Sequence, residues 1–375
     1  MSTVLGPASR SPQVDPCHPA GRIPVITTDP RLTTDERLAA GGNGAARAIV
    51  DIITGTWRAQ ALHAAVALGI PDHIAAGHTG TAELAVQTGA TEDGVERLMR
   101  LLVSMGVFGR DHCGYRPTEV SELLRAGVPG SLRDMVQIYG EEFHRAWGSF
   151  GHAIVTGRSG FEDAFGCRLS EYLAGQPAAS EKFLRAMNAG SAFFAEVPAV
   201  FDFRRCATVV DVAGGSGALL ATVLRASPAT HGVLFDLPHA TLIAGKHLGD
   251  AFPADRFDVL TGDMFEAVPP GGDAYLLSRV LQDWDDRTCI TLLSHCRDAM
   301  SDSARLLILE RVIPDDDSLS AARQLPLLWD LHLLTMTGGR QRTLHGYRSI
   351  LGSAGLRLET VHSLPLETNL LVAAC

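Results

Sequence analysis

The residues with the clearest capacity for chemistry form one glycine-rich turn. An apolar strand pattern, Thr208–Val212, carries Asp211 and leads through three glycines, up to Gly217, into an apolar helical stretch. Glycine lets the backbone adopt positive φ and approach a ligand closely. A dinucleotide fingerprint would need glycine where Leu220 stands, and a phosphate-binding loop would need a lysine that this turn lacks. The turn favours a cation or an amino-acid moiety over a pyrophosphate, with a tight ligand-free turn as the alternative.

Further chemical groups follow each of the next three predicted strands. Asp236 ends the second strand, where a carboxylate is placed to hold a ribose diol through two hydrogen bonds. After the third strand, Gly262–Phe265 sets an acid beside apolar groups that could flank an adenine face. After the fourth comes Leu281–Asp286, which reads Leu-Gln-Asp-Trp-Asp-Asp. Open α/β sheets bind ligands at the carboxyl ends of their strands, so this ordered set predicts a ligand site there.

The elements that must position these groups alternate between strand and helix after residue 205. This alternation predicts a mostly parallel sheet with helices on both faces. Strands are predicted at Thr208–Val212, Gly232–Asp236, Phe257–Thr261, Ala274–Ser278, Arg305–Arg311 and Leu366–Ala373, and helices at Ala218–Ala226, Arg287–Met300 and Thr343–Ala354.

The N-terminal half has the pattern of a winged helix. A helical run near Trp57–Ile70 is followed by helices predicted at Thr81–Thr88 and Glu92–Met105, and then by a short hairpin over 107–118. A helix that enters a DNA groove carries a positive excess, but Glu92–Met105 holds two arginines against three acids. We therefore interpret this half as a dimerisation domain rather than a DNA reader.

Pattern and composition divide the chain into three parts. The proline-rich residues 1–43 are predicted to be a mobile N-terminal arm. Residues 44–195 form the helical winged-helix dimerisation and acceptor-pocket domain, and residues 196–375 form the strand–helix domain that carries the ligand motifs.

Aromatic and histidine side chains cluster in one helical stretch of the middle part. Phe143, Trp147 and Phe150 recur at helical spacing, which places three rings on one helix face, and His144 stands among them. This pattern fits a core stripe or one wall of a pocket for a flat apolar ligand, and the sequence leaves both open.

Composition excludes several classes of protein. The 375 residues, with 46% hydrophobic and 20% charged, suffice for two domains and a large core. The net charge of −10 disfavours nucleic acid and anionic membrane surfaces as partners, and no apolar run reaches the length of a membrane-spanning helix. Residues 1–40 show no secretory signal. Seven scattered cysteines without a Cys-x-x-Cys pair predict reduced thiols, no metal site and a cytoplasmic location.

The motifs together resemble one family. The chain resembles the S-adenosylmethionine-dependent small-molecule O-methyltransferases of the caffeic-acid/hydroxyneurosporene type, in their bacterial natural-product tailoring branch. The resemblance covers about residues 44–375 and implies a Rossmann-like class I methyltransferase domain, preceded by a mainly helical winged-helix dimerisation domain, in a homodimer. The motifs that stand in the family's order and spacing are Asp211–Gly217, Phe235–Pro238, Gly262–Phe265, Leu281–Asp286 and Gly338–Thr343.

The resemblance also implies roles for single residues. The cofactor S-adenosyl-L-methionine, with S-adenosyl-L-homocysteine as its product, would be held by Ser191, Asp211, Gly214, Gly215, Gly217, Asp236, Leu237, Asp263, Met264, Phe265, Ser278, Arg279 and Trp284. A small aromatic or polyketide-like acceptor would be bound by Phe143, His144, Trp147, Phe183, Met187, Asp330 and Met336. The catalytic positions would be Gln282, Glu310 and Gln341.

Two of these catalytic positions depart from the family's pattern. Gln282 stands where the family's oxygen methylators carry a histidine base, and Gln341 stands where a glutamate orients that histidine, while Glu310 is kept. An amide cannot take a proton at neutral pH, and a simple phenol is ionised only to about one part in a thousand at pH 7. The departures favour O-methylation of an acceptor that is already acidic, or C-methylation beside a hydroxyl. His144 and His332 are candidate replacement bases, although we interpret each first as a structural or surface histidine.

Three functions compete at this point. The first is methyl transfer from S-adenosylmethionine to a small, aromatic acceptor in secondary-metabolite or antibiotic biosynthesis. The second, suggested by Gln282, is a methyltransferase-like enzyme that keeps the cofactor but catalyses hydroxylation, decarboxylation or cyclisation. The third is a winged-helix regulator that senses a metabolite, which the acidic charge disfavours.

Overall fold

The computed structural model describes residues 43–314 and 324–375. The predicted mobile arm therefore lies outside the described residues, apart from its last residue. The chain divides into two units, Met1–Ile53 and Thr54–Cys375. In the first unit the described part is helix α1 (Asn43–Ile53), in which Arg47 and Asp51 form an ion pair one turn apart. All later elements belong to the second unit.

The second unit begins with the predicted winged helix. Its hairpin joins β1 and β2, and the side chains of Leu84, Met99 and Tyr115 pack in a common core beneath it. The elements of this region are α2 (Gly55–Ala67), α3 (Ile70–Ala75), α4 (Thr81–Thr88), α5 (Glu92–Ser104), β1 (Gly109–Asp111) and β2 (Gly114–Arg116).

Short helices follow, and one of them corrects a prediction. Phe143, Trp147 and Phe150 do not share one helix, because Gly148 ends the first helix and Phe150 begins the next. The rings of Trp147 and Phe150 still meet, with centroids 4.8 Å apart. The helices are α6 (Glu119–Glu122), α7 (Arg133–Gly140), α8 (Glu142–Trp147), α9 (Phe150–Thr156), α10 (Gly160–Phe165), α11 (Leu169–Gly175), α12 (Pro177–Ala189) and α13 (Val197–Val200).

A mostly parallel sheet forms the rest of the unit, as predicted. Its strand order is β5-β4-β3-β6-β7-β10-β9, with β8 paired to the end of β7. The strands from β3 to β7 are parallel, whereas β10 runs antiparallel to both of its neighbours. The strands are β3 (Thr208–Val212), β4 (His231–Asp236), β5 (Phe257–Thr261), β6 (Ala274–Ser278), β7 (Arg305–Ile313), β8 (Arg342–Thr343), β9 (Arg357–Ser363) and β10 (Thr368–Ala374).

Helices cover both faces of this sheet, and a separate hydrophobic core fills each face. On β7, Leu306 and Ile308 face one core, while Leu307 and Leu309 face the other. This two-sided burial explains why the central strands read as continuous apolar runs. The helices are α14 (Ala218–Ala226), α15 (Pro238–Ala251), α16 (Asp286–Ala299), α17 (Gln324–Met336) and α18 (Leu344–Ser353).

The antiparallel edge differs from the prediction. The edge strand β9 was not predicted, because it is mostly exposed and its residues, Arg-Leu-Glu-Thr-Val-His-Ser, form no apolar run. The last strand begins at Thr368 rather than Leu366, since Leu366 and Glu367 adopt positive φ and make the turn into it. In the described parts of the chain, no helix is long and apolar enough to span a membrane.

Candidate active site

The glycine-rich turn after β3 packs against the acid that precedes it. Gly215 and Gly217 have φ of 58° and 76°, and Ala213 adopts φ 55° although it is not glycine. A Cβ atom on Gly214 would stand 2.8 Å from Cγ of Asp211, so glycine is needed there for this close approach. Left-handed backbone at a residue such as Ala213 is typical of ligand sites.

Asp211 is a buried acid with a free acceptor atom. It is 1% exposed, and its Oδ2 has no donor among the described residues. Burial, and then the charge of Asp236, raise the pKa of Asp211 to about 7. A nearby positive charge would favour the ionised form of this carboxyl. The turn and its acid therefore fit the ammonium group at the amino-acid end of S-adenosylmethionine.

Asp236, at the end of β4, is oriented by two backbone amides. Its Oδ2 accepts from the N–H of Gly215 at 2.8 Å, and its Oδ1 accepts from the N–H of Leu237 at 2.6 Å. Burial raises the pKa of Asp236, and these two hydrogen bonds act in the opposite direction. Each carboxylate oxygen keeps a further lone pair, so Asp236 can also accept hydrogen bonds from a ribose diol.

The ends of β5 and β6 supply a ring-lined edge. The Oδ1 atom of the exposed Asp263 accepts from the N–H of Phe265 at 2.8 Å. The rings of Phe265 and Trp284 meet edge to face, with centroids 4.8 Å apart. Both rings and Met264 are partly buried against the core of the sheet. A flat base fits against such an apolar edge, with Asp263 beside it.

Arg279 connects the sheet to the end of helix α12. It adopts φ 57°, and its Nη2 donates to the carbonyl of Met187 at 3.0 Å and to Oγ of Ser191 at 2.7 Å. Burial, and then the charge of Arg311, lower the pKa of Arg279 to about 10, so it stays charged at neutral pH. A carboxylate is the preferred partner of such a guanidinium. Arg279 and Ser191 therefore fit the carboxylate of the cofactor.

Two amides lie where the resemblance places the base and its orienting acid. Nε2 of Gln341 donates to Oε1 of Gln282 at 3.3 Å, and the backbone N–H of Gln341 donates to Oδ1 of Asp330 at 2.7 Å. The backbone N–H of Gln282 donates to Oε1 of Glu310 at 3.3 Å. This arrangement leaves Nε2 of Gln282 as a donor, and neither amide removes a proton.

Burial raises the pKa of both acids beneath the amide pair. Glu310 is fully buried, and its Oε2 has no partner in the described chain. Burial, and then the charge of Asp283, raise the pKa of Glu310 to about 8. Burial also raises the pKa of Asp283 to about 7, although Thr337 donates to it at 3.4 Å. Glu310 is therefore mostly protonated at neutral pH.

The loop before β8 packs against the backbone of Gln282 and Asp283. The N–H of Arg340 donates to the carbonyl of Gln282 at 2.8 Å. A Cβ atom on Gly339 would stand 2.1 Å from that carbonyl oxygen and 2.8 Å from Cα of Asp283. Glycine at 339 is therefore required for Gln341 to reach Gln282.

Aromatic rings from three helices form a cluster beside this site. The ring of Tyr139 stacks on His332 with centroids 5.1 Å apart and meets Phe143 edge-on at 5.0 Å. The indole Nε1 of Trp147 donates to Nδ1 of His332 at 3.2 Å, and the ring of Trp329 lies 5.4 Å from His332. We call these five residues the ring cluster.

Neither candidate replacement base has the surroundings of a base. Burial lowers the pKa of His332 to about 3, and the indole N–H on Nδ1 places the proton of the neutral ring on Nε2. His332 therefore does not take a proton at neutral pH. His144 is exposed on α8 and takes no part in the contacts of the ring cluster.

The structure brings most of the predicted residues to the carboxyl end of the parallel strands, and their individual roles stay predictions. Phe183 and Met187 pack with Phe143 and the buried Met336, whereas Leu237 and His144 are exposed. Three neighbours of this site were missing from the prediction, namely Tyr139, Arg311 and Trp329. Tyr139 lies four residues before Phe143, so helical spacing from the aromatic stretch could have indicated it. Arg311 and Trp329 belonged to no motif.

Comparison with known proteins agrees with this geometry. The family model of the O-methyltransferase domain matches residues 147–357, and that of the O-methyltransferase dimerisation domain matches residues 50–127. The chain is 43% identical over 343 residues to 3-amino-4-hydroxybenzoate 4-O-methyltransferase of Streptomyces cremeus, covering 89% of this chain and 91% of that one. It is 40% identical over 331 residues to phenazine-1-carboxylate N-methyltransferase of Pseudomonas aeruginosa, covering 88% of this chain and 97% of that one.

A solved structure gives the same result for the fold. The O-methyltransferase NcsB1 from neocarzinostatin biosynthesis, in complex with S-adenosylmethionine and 2-hydroxy-5-methyl naphthoic acid, matches with a TM-score of 0.73 at 30% identity. The match covers 84% of this chain and 95% of that one.

Proposed function

This chain belongs to the S-adenosylmethionine-dependent O-methyltransferases, and we propose that its aromatic acceptor reacts without a proton-accepting residue of the protein. Relatives are named for bacterial natural-product biosynthesis, and the dimerisation domain in this chain supports a homodimer. The cofactor supplies an electrophilic methyl group. The acceptor must therefore present its nucleophile to that methyl group in reactive form.

The observation that carries the proposal is the pairing of Gln282 with Gln341. Their hydrogen bond of 3.3 Å fixes an amide where a base would otherwise stand. A positioned base contributes roughly 10²–10⁴-fold to such reactions, whereas alignment alone can supply about 7–11 kcal/mol. The site therefore depends on alignment, and Nε2 of Gln282 donates a hydrogen bond that orients the acceptor or a water.

Two kinds of acceptor meet this requirement. An acidic phenol, conjugated to a carbonyl group or bearing an electron-withdrawing substituent, is already ionised to a useful extent near neutral pH. An aromatic ring nitrogen has a lone pair and needs no base. The names of the two relatives include a hydroxybenzoate, which has a phenol, and a phenazine, which has ring nitrogens. We favour O-methylation, because the matching family models are those of O-methyltransferases.

On this proposal the predicted cofactor residues act together. Asp211 with the glycine turn holds the amino group, Ser191 and Arg279 hold the carboxylate, and Asp236 holds the ribose. Phe265 supports one side of the adenine. The two-domain division at residue 195 and a cytoplasmic location stay part of the proposal, and the six described cysteines are free thiols.

Incubation with S-adenosylmethionine and a panel of aromatic acceptors tests the function. The panel contains 4-hydroxy-3-nitrobenzoate as the acidic phenol, phenazine-1-carboxylate, 3-amino-4-hydroxybenzoate and a simple phenol, followed by mass spectrometry. We expect methylation of the acidic phenol or the ring nitrogen before the simple phenol, matched by S-adenosylhomocysteine. A methylated phenol exchanges hydrogen for methyl, whereas a methylated ring nitrogen gains a methyl group and a positive charge and loses no hydrogen. Product without S-adenosylhomocysteine would favour the non-methylating alternative, which the relatives' names do not favour. Faster methylation of the simple phenol would contradict a base-free site.

A further inference from the structure

Arg311 is a buried cation that forms no ion pair with the described residues. It lies near the end of β7, directly after Glu310, and side chains of successive strand residues point to opposite faces. Arg311 is 7% exposed, and its Nε has no acceptor in the described residues. Its guanidinium carbon lies 4.6 Å from the ring centroid of Trp329. Contact with a ring face stabilises the charge but accepts no hydrogen bond from Nε.

Two further donors beside Arg311 are also unpaired. Nε1 of Trp329 and Oη of Tyr139 are buried and have no hydrogen-bond partner among the described residues. Their rings meet edge to face at 5.8 Å, and the charge of Arg311 acts on Tyr139. Trp329 thus lies between Arg311 and the rest of the ring cluster. The three side chains offer several donors and no carboxylate.

The buried donors of Arg311, Trp329 and Tyr139 destabilise the fold unless a ligand accepts their hydrogen bonds. Buried donors are normally paired, and a buried guanidinium is normally held by an anion. The carboxyls that act on Arg311 are Glu310, on the opposite face of the strand, and Glu367, and neither forms an ion pair with it. In the described chain these donors therefore have no internal partner.

We propose that the methyl acceptor is an aromatic carboxylate, whose carboxylate is bound by Arg311 with Tyr139 and Trp329 while its ring packs in the ring cluster. This inference rests on the proposed function, because it assumes that the cluster holds the acceptor. A carboxylate matches the forked N–H groups of arginine. It also supplies the acceptor atoms that the three buried donors lack. The neutral ring of His332 in the same cluster keeps its Nε2–H as a further donor.

The test compares an acid with its neutral isostere. Calorimetry measures the binding of 3-amino-4-hydroxybenzoate and of 3-amino-4-hydroxybenzamide to protein loaded with S-adenosylhomocysteine, for wild type, Arg311→Gln and Arg311→Lys. We expect the wild type to prefer the carboxylate by at least about tenfold. Arg311→Gln should abolish that preference, and Arg311→Lys should restore part of it, because lysine keeps the charge but not the fork. The control Arg357→Gln removes an exposed arginine and should change nothing.

The possible results distinguish failure of the carboxylate site from failure of the proposed methyl transfer. Equal binding of acid and amide by the wild type would overturn the carboxylate site, and so would an equal loss of both ligands in Arg311→Gln. Binding of S-adenosylhomocysteine must stay unchanged in the variants, which shows that they are folded. Carboxylate binding that depends on Arg311 without any methyl transfer would support this site and contradict the proposed function.

Discussion

Among the single residues, Gln282 has the largest effect on the chemistry, because it stands where the resemblance implies a histidine base. Its amide accepts from Gln341 and keeps a donor free, so this position orients but does not titrate. Beneath it, Glu310 and Asp283 are mostly or partly protonated near neutral pH. The amide pair therefore offers the methyl acceptor no base, which favours a nucleophile that brings its own charge or lone pair.

Restoring a base should widen the range of acceptors. Gln282→His introduces a group whose unperturbed pKa is about 6.5, and we expect faster methylation of simple phenols, measured as kcat/KM. The gain should be partial, because Gln341 cannot stabilise an imidazolium as a glutamate would. Gln282→Ala should lose only the effect of one neutral hydrogen bond, about 0.5–1.5 kcal/mol. A loss above a thousandfold in Gln282→Ala, with cofactor binding intact, would show that the amide itself performs essential chemistry.

Glu310 should make the stability of the protein fall with rising pH. Its pKa rises from 4.5 to about 8 on folding, so the folded state holds one proton more than the unfolded state between these values. Stability from this group is therefore greatest below pH 4.5 and is lost as the pH rises through 8. Glu310→Gln should raise the melting temperature at pH 9 by on the order of a few degrees and change it little at pH 5. A benefit of equal size at both pH values would contradict this titration.

The acids near the strand ends could be predicted, because their positions follow from the order of residues along the chain. Asp211, Asp236 and Asp263 each lie within two residues of the carboxyl end of a strand, and parallel strands bring those ends to one edge. Arg311 could not be predicted, since Trp329 approaches it through the packing of α17 against β7, and Tyr139 joins them through its ring contact with Trp329. The neutral state of His332 likewise depends on Trp147, which is distant in sequence.

At the scale of elements, apolar periodicity closely predicted the parallel strands and the helices α4, α5, α14, α16 and α18. It failed where burial did not determine the pattern. The edge strand β9 is largely exposed, and the helix predicted through Phe143 and Phe150 is interrupted at Gly148. The first difference follows from the exposure of β9 and the second from the glycine at 148, and hydrophobic spacing reports neither.

The loop that carries Gln341 can pack against the backbone of Gln282 because Gly339 has no side chain. Gly339→Ala would place a Cβ atom 2.1 Å from the carbonyl oxygen of Gln282, so the loop must move and the amide pair must separate. We expect at least about a tenfold loss of kcat, with S-adenosylhomocysteine binding retained in calorimetry. The control Gly245→Ala has open space around it and should be neutral or slightly stabilising. Unchanged kcat in Gly339→Ala would contradict a positioning role for this loop.

The whole molecule combines an acidic winged-helix part with a methyltransferase sheet. The match to a dimerisation domain over residues 50–127 explains the winged helix without a nucleic-acid partner. Trp57, on α2 in this region, is 67% exposed in the isolated chain. Large exposed apolar side chains of this kind are typical of a protein–protein interface.

Light scattering should therefore return twice the chain mass of 39.9 kDa. The measurement should cover a range of protein concentrations, because a weak dimer would dissociate on dilution. A mass of one chain at all concentrations would contradict the dimer.

On the proposed function, the acceptor's own pKa, and not a residue of the protein, determines whether its phenol is ionised for methyl transfer. The most direct measurement is the pH dependence of kcat/KM for two matched phenols, 3-amino-4-hydroxybenzoate and 4-hydroxy-3-nitrobenzoate, whose nitro group lowers the pKa of the phenol. We predict that the rising limb of the profile moves to lower pH for the nitro compound and follows the pKa of each phenol. A rising limb at the same pH for both phenols would show that a protein group removes the proton, and would contradict the base-free site.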